Sequence, residues 1–321
     1  MTTEQSWTLA DIGDQSGKRV LITGANSGIG YYAALELARK GAHIVLACRD
    51  PRRAEAAMTA IRAATPGARL ELAQLDLASL SSVREFAERE LAQRRPIHIL
   101  INNAGVMAPP ARLETADGFE LQFGTNVLGH FALTAWLLPA LEQAAAEAAE
   151  RPRIVTIASI AHKGGQLDFE DLQSTRSYSP MRAYRQSKLA DLMFAFELDR
   201  RLREAQSRVM SVAAHPGVAD TNLFSSGDYP AIERALRRLA GRLIALALNT
   251  GPMGALPTLY AATSDCVRDG GYYGPMGLFE ARGSRVGNAR VASQARDAVA
   301  AAKLWRICET LAGVGFPKLV A

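Results

Sequence analysis

Cysteine is scarce in this chain of 321 residues, which has only Cys48, Cys266 and Cys308. Three widely spaced cysteines exclude a disulfide framework and a zinc knuckle, so we expect a reducing, cytoplasmic location. The five histidines lack metal-ligand spacing such as HExxH, and we predict no metal site. Dense basic runs are also missing: the net charge of +5 is spread over many predicted helices, which argues against a nucleic-acid partner.

The sequence also lacks a convincing secretory or membrane-spanning segment. Residues 1–17 contain acidic side chains and no apolar core, so they are predicted to be a short N-terminal arm and not a secretory signal. The uncharged stretch 121–141 is long enough to span a bilayer. Gln122, Asn126 and His130 would be unsatisfied in lipid, however, so we predict a buried helix there and no integral membrane segment.

Short apolar runs alternate with segments of helical pattern. The predicted strands are 19–23, 43–48, 70–75, 97–102, 153–158 and 208–214, with 270–274 as a last edge strand, and the predicted helices are 29–39, 51–64, 79–93, 119–147 and 182–204. Strands separated by such helices imply right-handed crossovers and a parallel sheet. Because no linker divides the chain, we predict one α/β domain over 18–321, a doubly wound Rossmann fold with helices on both faces of the sheet.

A glycine-rich turn, TGANSGIG at 23–30, follows the first strand and leads directly into a helix. Glycines allow positive φ and a close approach to a ligand, and a helix N-terminus offers free N–H groups to a pyrophosphate. The spacing GxxxGxG differs from GxGxxG, and three glycines alone are common in loops. The strand, turn and helix context nevertheless favours a dinucleotide site, with contacts from Gly24, Asn26, Ser27, Gly28, Ile29 and Gly30.

The end of the second strand bears on the choice of cofactor. An NAD site would place Asp or Glu there to bind the ribose 2′-hydroxyl, but this sequence has Arg49, which can pair with a 2′-phosphate. Asp50 follows, and its carboxylate either weakens that preference or begins the next helix. We predict NADP(H) in preference to NAD(H).

An ordered set of motifs resembles the short-chain dehydrogenase/reductase family. The set comprises TGANSGIG, Asp76, NNAG at 102–105, Asn126, Ser159, YRQSK at 184–188, and HPG at 215–217 with Thr221. Within this family, the chain is most similar to the retinol dehydrogenase and protochlorophyllide reductase branch. The similarity lies in residues 47–50, 125–134 and 183–194 and in the long gap between Ser159 and Tyr184. The resemblance implies hydride transfer between a nicotinamide and a carbonyl or alcohol of a lipophilic small molecule.

Four residues are candidates for the chemistry. Tyr184 and Lys188 share one helix face, and a nearby ammonium favours the phenolate, which makes Tyr184 a usable proton donor or acceptor. By resemblance, Lys188 also holds the nicotinamide ribose. Ser159 either donates to the substrate oxygen or merely ends a strand. Asn126 is either the family's fourth catalytic member, which fixes a water beside the lysine, or a satisfied core amide.

The remaining cofactor contacts are carried over by resemblance. They fall at three strand ends: Asp76 and Leu77 at the adenine, Asn103, Ala104 and Gly105 at the adenosine, and Pro216, Gly217, Val218 and Thr221 at the nicotinamide. Ordinary strand-end turns are the alternative for the first two groups.

Two segments lie outside the motifs described above. Residues 220–250 are predicted to be a substrate lid, whose basic amphipathic part, 232–244, packs over the site or lies on an anionic membrane. The tail 288–314 is predicted to be helical, and the resemblance allows a homodimer or homotetramer paired through long helices.

The rival functions are a catalytically silent protein that binds NADP(H) or a partner, and a reductase of an activated C=C bond.

Overall fold

The computed structural model describes residues 7–218 and 251–316. In these ranges one sheet contains β1 (Arg19–Thr23), β2 (His43–Cys48), β3 (Arg69–Gln74), β4 (Ile99–Asn102), β5 (Arg153–Ile157), β6 (Met210–Ala214), β7 (Tyr272–Pro275) and β8 (Val286–Asn288). The order across the sheet is β3-β2-β1-β4-β5-β6-β7-β8. All pairs are parallel except β7 with β8.

Helices cover both faces of this sheet: α1 (Gly28–Arg39), α2 (Pro51–Ala64), α3 (Leu80–Ala92), α4 (Gly129–Glu147), α5 (Pro180–Glu204), α6 (Gly251–Thr263) and α7 (Ala298–Ala312). Helices α1, α2 and α6 pack on one face, and α3, α4, α5 and α7 pack on the other. Side chains alternate along each strand, so Leu21 joins one core while Val20 and Ile22 join the other. The predicted doubly wound fold is confirmed, and strand order reverses between β1 and β4, where such sheets bind ligands.

The sequence prediction was wrong at the edge of the sheet and incomplete beside it. The run at 270–274 was predicted to be the last edge strand, but β7 lies inside the sheet because the short β8 pairs with its outer side. Helix α6 was not predicted, since it contains Pro257 within its span. The tail becomes α-helical only at Ala298, where the Asp297 carboxylate accepts a hydrogen bond of 2.9 Å from the Ala300 N–H.

The long buried helix begins later than the predicted residue 119. Glu120 accepts hydrogen bonds from the N–H groups of Gln122 and Phe123, at 3.0 and 2.8 Å, and thereby caps the helix. A π-helical segment, Phe123–Leu128, then leads into α4. Among the helices in the described ranges, none combines the length and apolar character needed to cross a membrane.

The described part of the N-terminal arm packs against the domain. The Trp7 ring lies 5.3 Å from that of Tyr260 on α6, and Ile12 is buried. Three predictions, the lid at 220–250, its basic stretch at 232–244 and the contact from Thr221, lie outside the described residues.

Candidate active site

The glycine-rich turn has the shape that the sequence predicted. Gly24 and Gly28 have φ values of +67° and +53°, which favour glycine. Helix α1 begins at Gly28, with Asn26 and Ser27 partly exposed in the turn before it. A Cβ on Gly30 would lie 2.6 Å from the Gly24 carbonyl oxygen, so the helix can approach β1 this closely only without a side chain there. The turn and the free end of α1 therefore fit a pyrophosphate.

A second loop, at residues 103–105, is joined to this turn. The N–H groups of Asn103 and Ala104 both donate to the Thr23 hydroxyl oxygen at 2.9 Å, and the Asn103 side-chain amide donates to the Thr23 carbonyl oxygen at 2.7 Å. A Cβ on Gly105 would lie 3.2 Å from Asn126 Oδ1, so the loop also packs closely on the π-helical segment. The ends of β1 and β4 thus form one rigid wall at the point where strand order reverses.

The adenosine end of the site contains Arg49, Asp50 and Asp76. Arg49 is exposed at the end of β2. Asp50 caps α2, accepting a hydrogen bond of 3.2 Å from the Arg53 N–H, which favours the helix-starting alternative for that residue. Asp76 is partly exposed after β3, and its carboxylate accepts from the Ala78 N–H at 3.0 Å. Leu77 is buried, and a Cβ on Gly129 would lie 2.5 Å from its carbonyl oxygen.

Ser159 lies just beyond β5 and begins a 3-10 turn, Ile160–Gly164. Its hydroxyl oxygen accepts from the Ala161 N–H at 3.1 Å. The backbone of Ser159 is also fixed, because His162 Nδ1 lies 2.6 Å from the Ser159 carbonyl oxygen and must donate to it. His162 Nε2 then accepts from the Ala292 N–H at 3.3 Å, and burial lowers the pKa of this imidazole. The segment before α7 therefore helps to position Ser159.

Tyr184 and Lys188 lie one turn apart on α5, and both are buried. The Lys188 ammonium donates to the Ile157 carbonyl oxygen at 2.9 Å, two residues before Ser159. Burial lowers the pKa of Lys188, but the charges of Asp191 and Tyr184 outweigh that effect, so the pKa is raised overall. This contact anchors the helix face that carries Tyr184 to the strand end that carries Ser159.

Asn126 lies within the π-helical segment, a distortion that is frequent at functional sites. Its side chain is occupied: Oδ1 accepts from the Val106 N–H at 2.8 Å, and Nδ2 donates to the Val106 carbonyl oxygen and the Ser187 hydroxyl, each at 3.0 Å. These contacts fit the core-amide alternative for this side chain and hold the loop after β4 against α5.

The predicted nicotinamide loop follows β6 and is held by His215. The Gly217 N–H donates to His215 Nδ1 at 3.1 Å, and Gly217 has a φ of +73°. The Val218 N–H donates to the Ala281 carbonyl oxygen at 2.8 Å. Burial lowers the pKa of His215 to about 3, so its imidazole is neutral and has a structural role here. Pro216 lies between these fixed points, at the carboxyl end of the sheet.

The insertion between Ser159 and Tyr184 braces the loop after β4. The Tyr178 hydroxyl donates to the Pro109 carbonyl oxygen at 2.9 Å, and Arg112 donates to the Gln173 carbonyl oxygen at 2.9 Å. Gln122 links both sides, since its amide donates to the Tyr178 hydroxyl and its oxygen accepts from the Ala108 N–H. The long gap in the sequence therefore corresponds to a segment that holds the loop after β4 in place.

Sequence reasoning missed several supporting residues. His162 contacts the backbone of Ser159 and Ala292, and Glu280 forms an ion pair with Lys163. These contacts join segments far apart in the sequence, so no local spacing reveals them. Asp191 was detectable, because it stands three residues after Lys188 on the same helix and such residues are neighbours. His130 likewise follows Asn126 by one helical turn.

The parallel sheet, the glycine turn at its switch point, and a lysine held against the strand end that precedes Ser159 are the features expected of a dinucleotide-dependent oxidoreductase. Comparison with known proteins agrees. A family model described as short chain dehydrogenase matches residues 18–228. Retinol dehydrogenase 13 of Homo sapiens is 41% identical over 308 residues, covering 94% of this chain and 87% of that protein. Polyprenol dehydrogenase of Mus musculus is 43% identical over 250 residues, covering 78% of this chain and 72% of that protein.

A solved structure extends the similarity over nearly the whole chain. The crystal structure of an uncharacterized protein from Mycobacterium paratuberculosis is 41% identical and superposes with a TM-score of 0.77, covering 98% of this chain and 100% of that chain. The chain belongs to the short-chain dehydrogenase family, in its retinol dehydrogenase-like branch. It is accordingly a nicotinamide-dependent oxidoreductase that acts on CH–OH or C=O groups.

Proposed function

We propose that this protein is an NADP(H)-dependent oxidoreductase that interconverts a lipophilic alcohol and its carbonyl compound, with Tyr184 as the proton donor or acceptor. The observation that carries the proposal is the contact between the Lys188 ammonium and the Ile157 carbonyl oxygen, at 2.9 Å. It holds Lys188 at the strand end that precedes Ser159, and Tyr184 stands one turn before Lys188 on the same helix, which supports the proposed grouping. Proton transfer by a positioned tyrosine needs this arrangement.

The preference for NADP(H) is supported at the end of β2. Arg49 is exposed there, and its carboxylate neighbour Asp50 is engaged as the cap of α2. The guanidinium is therefore available for a 2′-phosphate, a bidentate contact that an arginine makes well. The nearby Asp76 carboxylate is likewise engaged, with the Ala78 N–H.

The glycine turn and the loops at 103–105 and 216–218 would hold the cofactor, which when bound would supply or accept a hydride. In the reductive direction Tyr184 gives a proton to the substrate oxygen, and Ser159 orients that oxygen through its hydroxyl. Lys188 stabilises the phenolate left on Tyr184. Asn126 holds the loop after β4 in place through its side-chain amide.

The substrate class follows from the relatives, two of which are named for retinol and polyprenol. Both compounds are isoprenoid alcohols, so we propose a long apolar alcohol or the matching aldehyde or ketone as substrate. The test is a screen of such alcohols with NADP⁺ and of such carbonyl compounds with NADPH, with the products identified.

The matched variants are Tyr184→Phe and, as control, Tyr260→Phe on α6. We expect Tyr184→Phe to keep NADPH binding and to lose turnover, whereas Tyr260→Phe keeps both. Near-normal turnover in Tyr184→Phe would refute the proposed role. Tight NADPH binding without turnover of any compound would indicate a silent binding protein, and a saturated product that keeps its carbonyl would indicate reduction of C=C.

A further inference from the structure

A buried carboxylate lies directly beside the amine on which the proposed chemistry depends. Asp191 Oδ2 is 2.8 Å from Lys188 Nζ, and the side chains are only 4% and 7% exposed. The ammonium therefore donates one hydrogen to Asp191 and another to the Ile157 carbonyl oxygen. Two of its three hydrogens are fixed by the protein, and one remains to act toward Tyr184 or a bound ligand.

Groups on three elements surround this pair. Tyr184 lies on the same helix as both partners, His130 faces Lys188 from α4, and Cys308 faces Asp191 from α7. Burial lowers the pKa of His130 to about 4 and raises that of the Cys308 thiol far above its usual range, so both groups are neutral near pH 7. Asp191 therefore supplies the negative charge that balances Lys188 when Tyr184 is protonated.

Burial alone disfavours the charged form of Lys188. A lysine amine transferred from water to a protein interior can lose several pKa units, because the charged form is desolvated. Asp191 opposes this effect, and the pKa of Lys188 is raised instead. Burial also acts on Asp191: it raises the pKa of this carboxyl to about 6, although the charge of Lys188 lowers it.

We propose that Asp191 is a positioning residue for the reaction: its carboxylate keeps the Lys188 amine charged and fixed between β5 and Tyr184. This inference rests on the proposed function, because the charge matters only if Tyr184 exchanges a proton. Without Asp191, Lys188 becomes neutral in the working pH range, and the phenolate of Tyr184 forms only at higher pH.

The experiment compares Asp191→Asn with Asp199→Asn. Asp199 is a buried acid on the same helix, but it pairs with Arg203 and not with Lys188. Alcohol oxidation should speed up with rising pH as Tyr184 loses its proton. We expect Asp191→Asn to raise the midpoint of this pH profile by about one pH unit or more. At pH 7 this corresponds to a loss of roughly tenfold in kcat. Asp199→Asn keeps the wild-type profile, and Asp191→Glu restores it in part.

An unchanged or lowered midpoint in Asp191→Asn, or an equal shift in Asp199→Asn, would overturn the proposal. A second readout needs no substrate: the ultraviolet signal of the Tyr184 phenolate, taken as each protein minus its Tyr184→Phe counterpart, is titrated with pH. Failure of the wild type to oxidise any alcohol would refute the proposed function, whereas this titration would still test Asp191. Should Asp191→Asn not fold, Asp191→Ser serves in the same comparison.

Discussion

The hydroxyl of Thr23 and Nε2 of His130 lie 2.9 Å apart in the interior, joining the end of β1 to the helix that carries Asn126. His130 Nδ1 lies 2.8 Å from the Asn126 carbonyl oxygen, which can only accept, so Nδ1 carries the hydrogen. Nε2 must then accept from Thr23. The neutral imidazole thus connects the wall formed by the ends of β1 and β4 to the π-helical segment. A proton on Nε2 would break this connection.

This arrangement predicts loss of stability in acid. Burial lowers the pKa of His130 from 6.5 to about 4, so between these values the unfolded chain binds a proton that the folded chain does not. The free energy of unfolding should therefore fall as the pH drops from 6.5 toward 4, by about 1.4 kcal/mol per pH unit for one such histidine. Urea unfolding of wild type and His130→Gln across this range measures the difference.

The slope in His130→Gln should be smaller by about one proton. His43→Gln is the control, because the His43 side chain is 26% exposed and its pKa is lowered less strongly. Equal slopes in wild type and His130→Gln would mean that this imidazole does not titrate as its burial requires.

A second prediction concerns the cofactor phosphate. Arg49→Ala should weaken NADPH binding by roughly tenfold or more, since a hydrogen bond to a charged group contributes about 1.5–3 kcal/mol. NADH binding should change little because NADH lacks the 2′-phosphate. Titration of both cofactors by fluorescence measures the ratio. Arg62→Ala, an exposed arginine near the other end of α2, should leave both affinities unchanged, and equal losses in Arg49→Ala would exclude a phosphate contact.

A third prediction concerns the close packing of the glycine turn. A Cβ at Gly30 would lie 2.5 Å from the Asn103 amide nitrogen and 2.6 Å from the Gly24 carbonyl oxygen, so Gly30→Ala must push the turn away from β1. Cofactor binding should weaken by roughly tenfold or more because the turn approaches the pyrophosphate through its backbone. Gly13→Ala, where nothing lies within 4 Å of the added carbon, is the control. Normal affinity in Gly30→Ala would show that the turn can relax.

The sequence was sufficient for the six parallel strands β1 to β6 and for placing Ser159 after β5 and Tyr184 and Lys188 on α5, because each depends on local patterns. The apolar runs mark parallel strands, and chemistry-bearing residues at their carboxyl ends meet at one edge. That reasoning also located the wall at 103–105. The NADP(H) preference and the individual cofactor contacts remain predictions.

Other features depend on contacts between distant segments, which no local pattern contains. Glu280 accepts hydrogen bonds from Lys163 at 2.6 Å and from the Arg290 N–H at 2.7 Å, and so connects three loops. Its backbone has a φ of +59°, which a residue other than glycine does not favour. The placement of α7 across α4 and α5 likewise required the structure.

The packing of α7 leads to the last prediction. Trp305 is buried against Phe131 of α4 and Phe194 of α5, with ring centroids 5.1 and 5.9 Å away. Trp305→Ala should lower the free energy of unfolding by about 3–5 kcal/mol, since a large buried ring is replaced by a cavity. Trp305→Phe should cost far less: it keeps an aromatic ring and removes an indole N–H that has no hydrogen-bond partner among residues 7–218 and 251–316. Val299→Ala, at a side chain on α7 that is 81% exposed, is the control and should leave stability almost unchanged. Denaturant unfolding of the three variants measures these differences, and a small effect of Trp305→Ala would mean that α7 is not held on α4 and α5 by this ring.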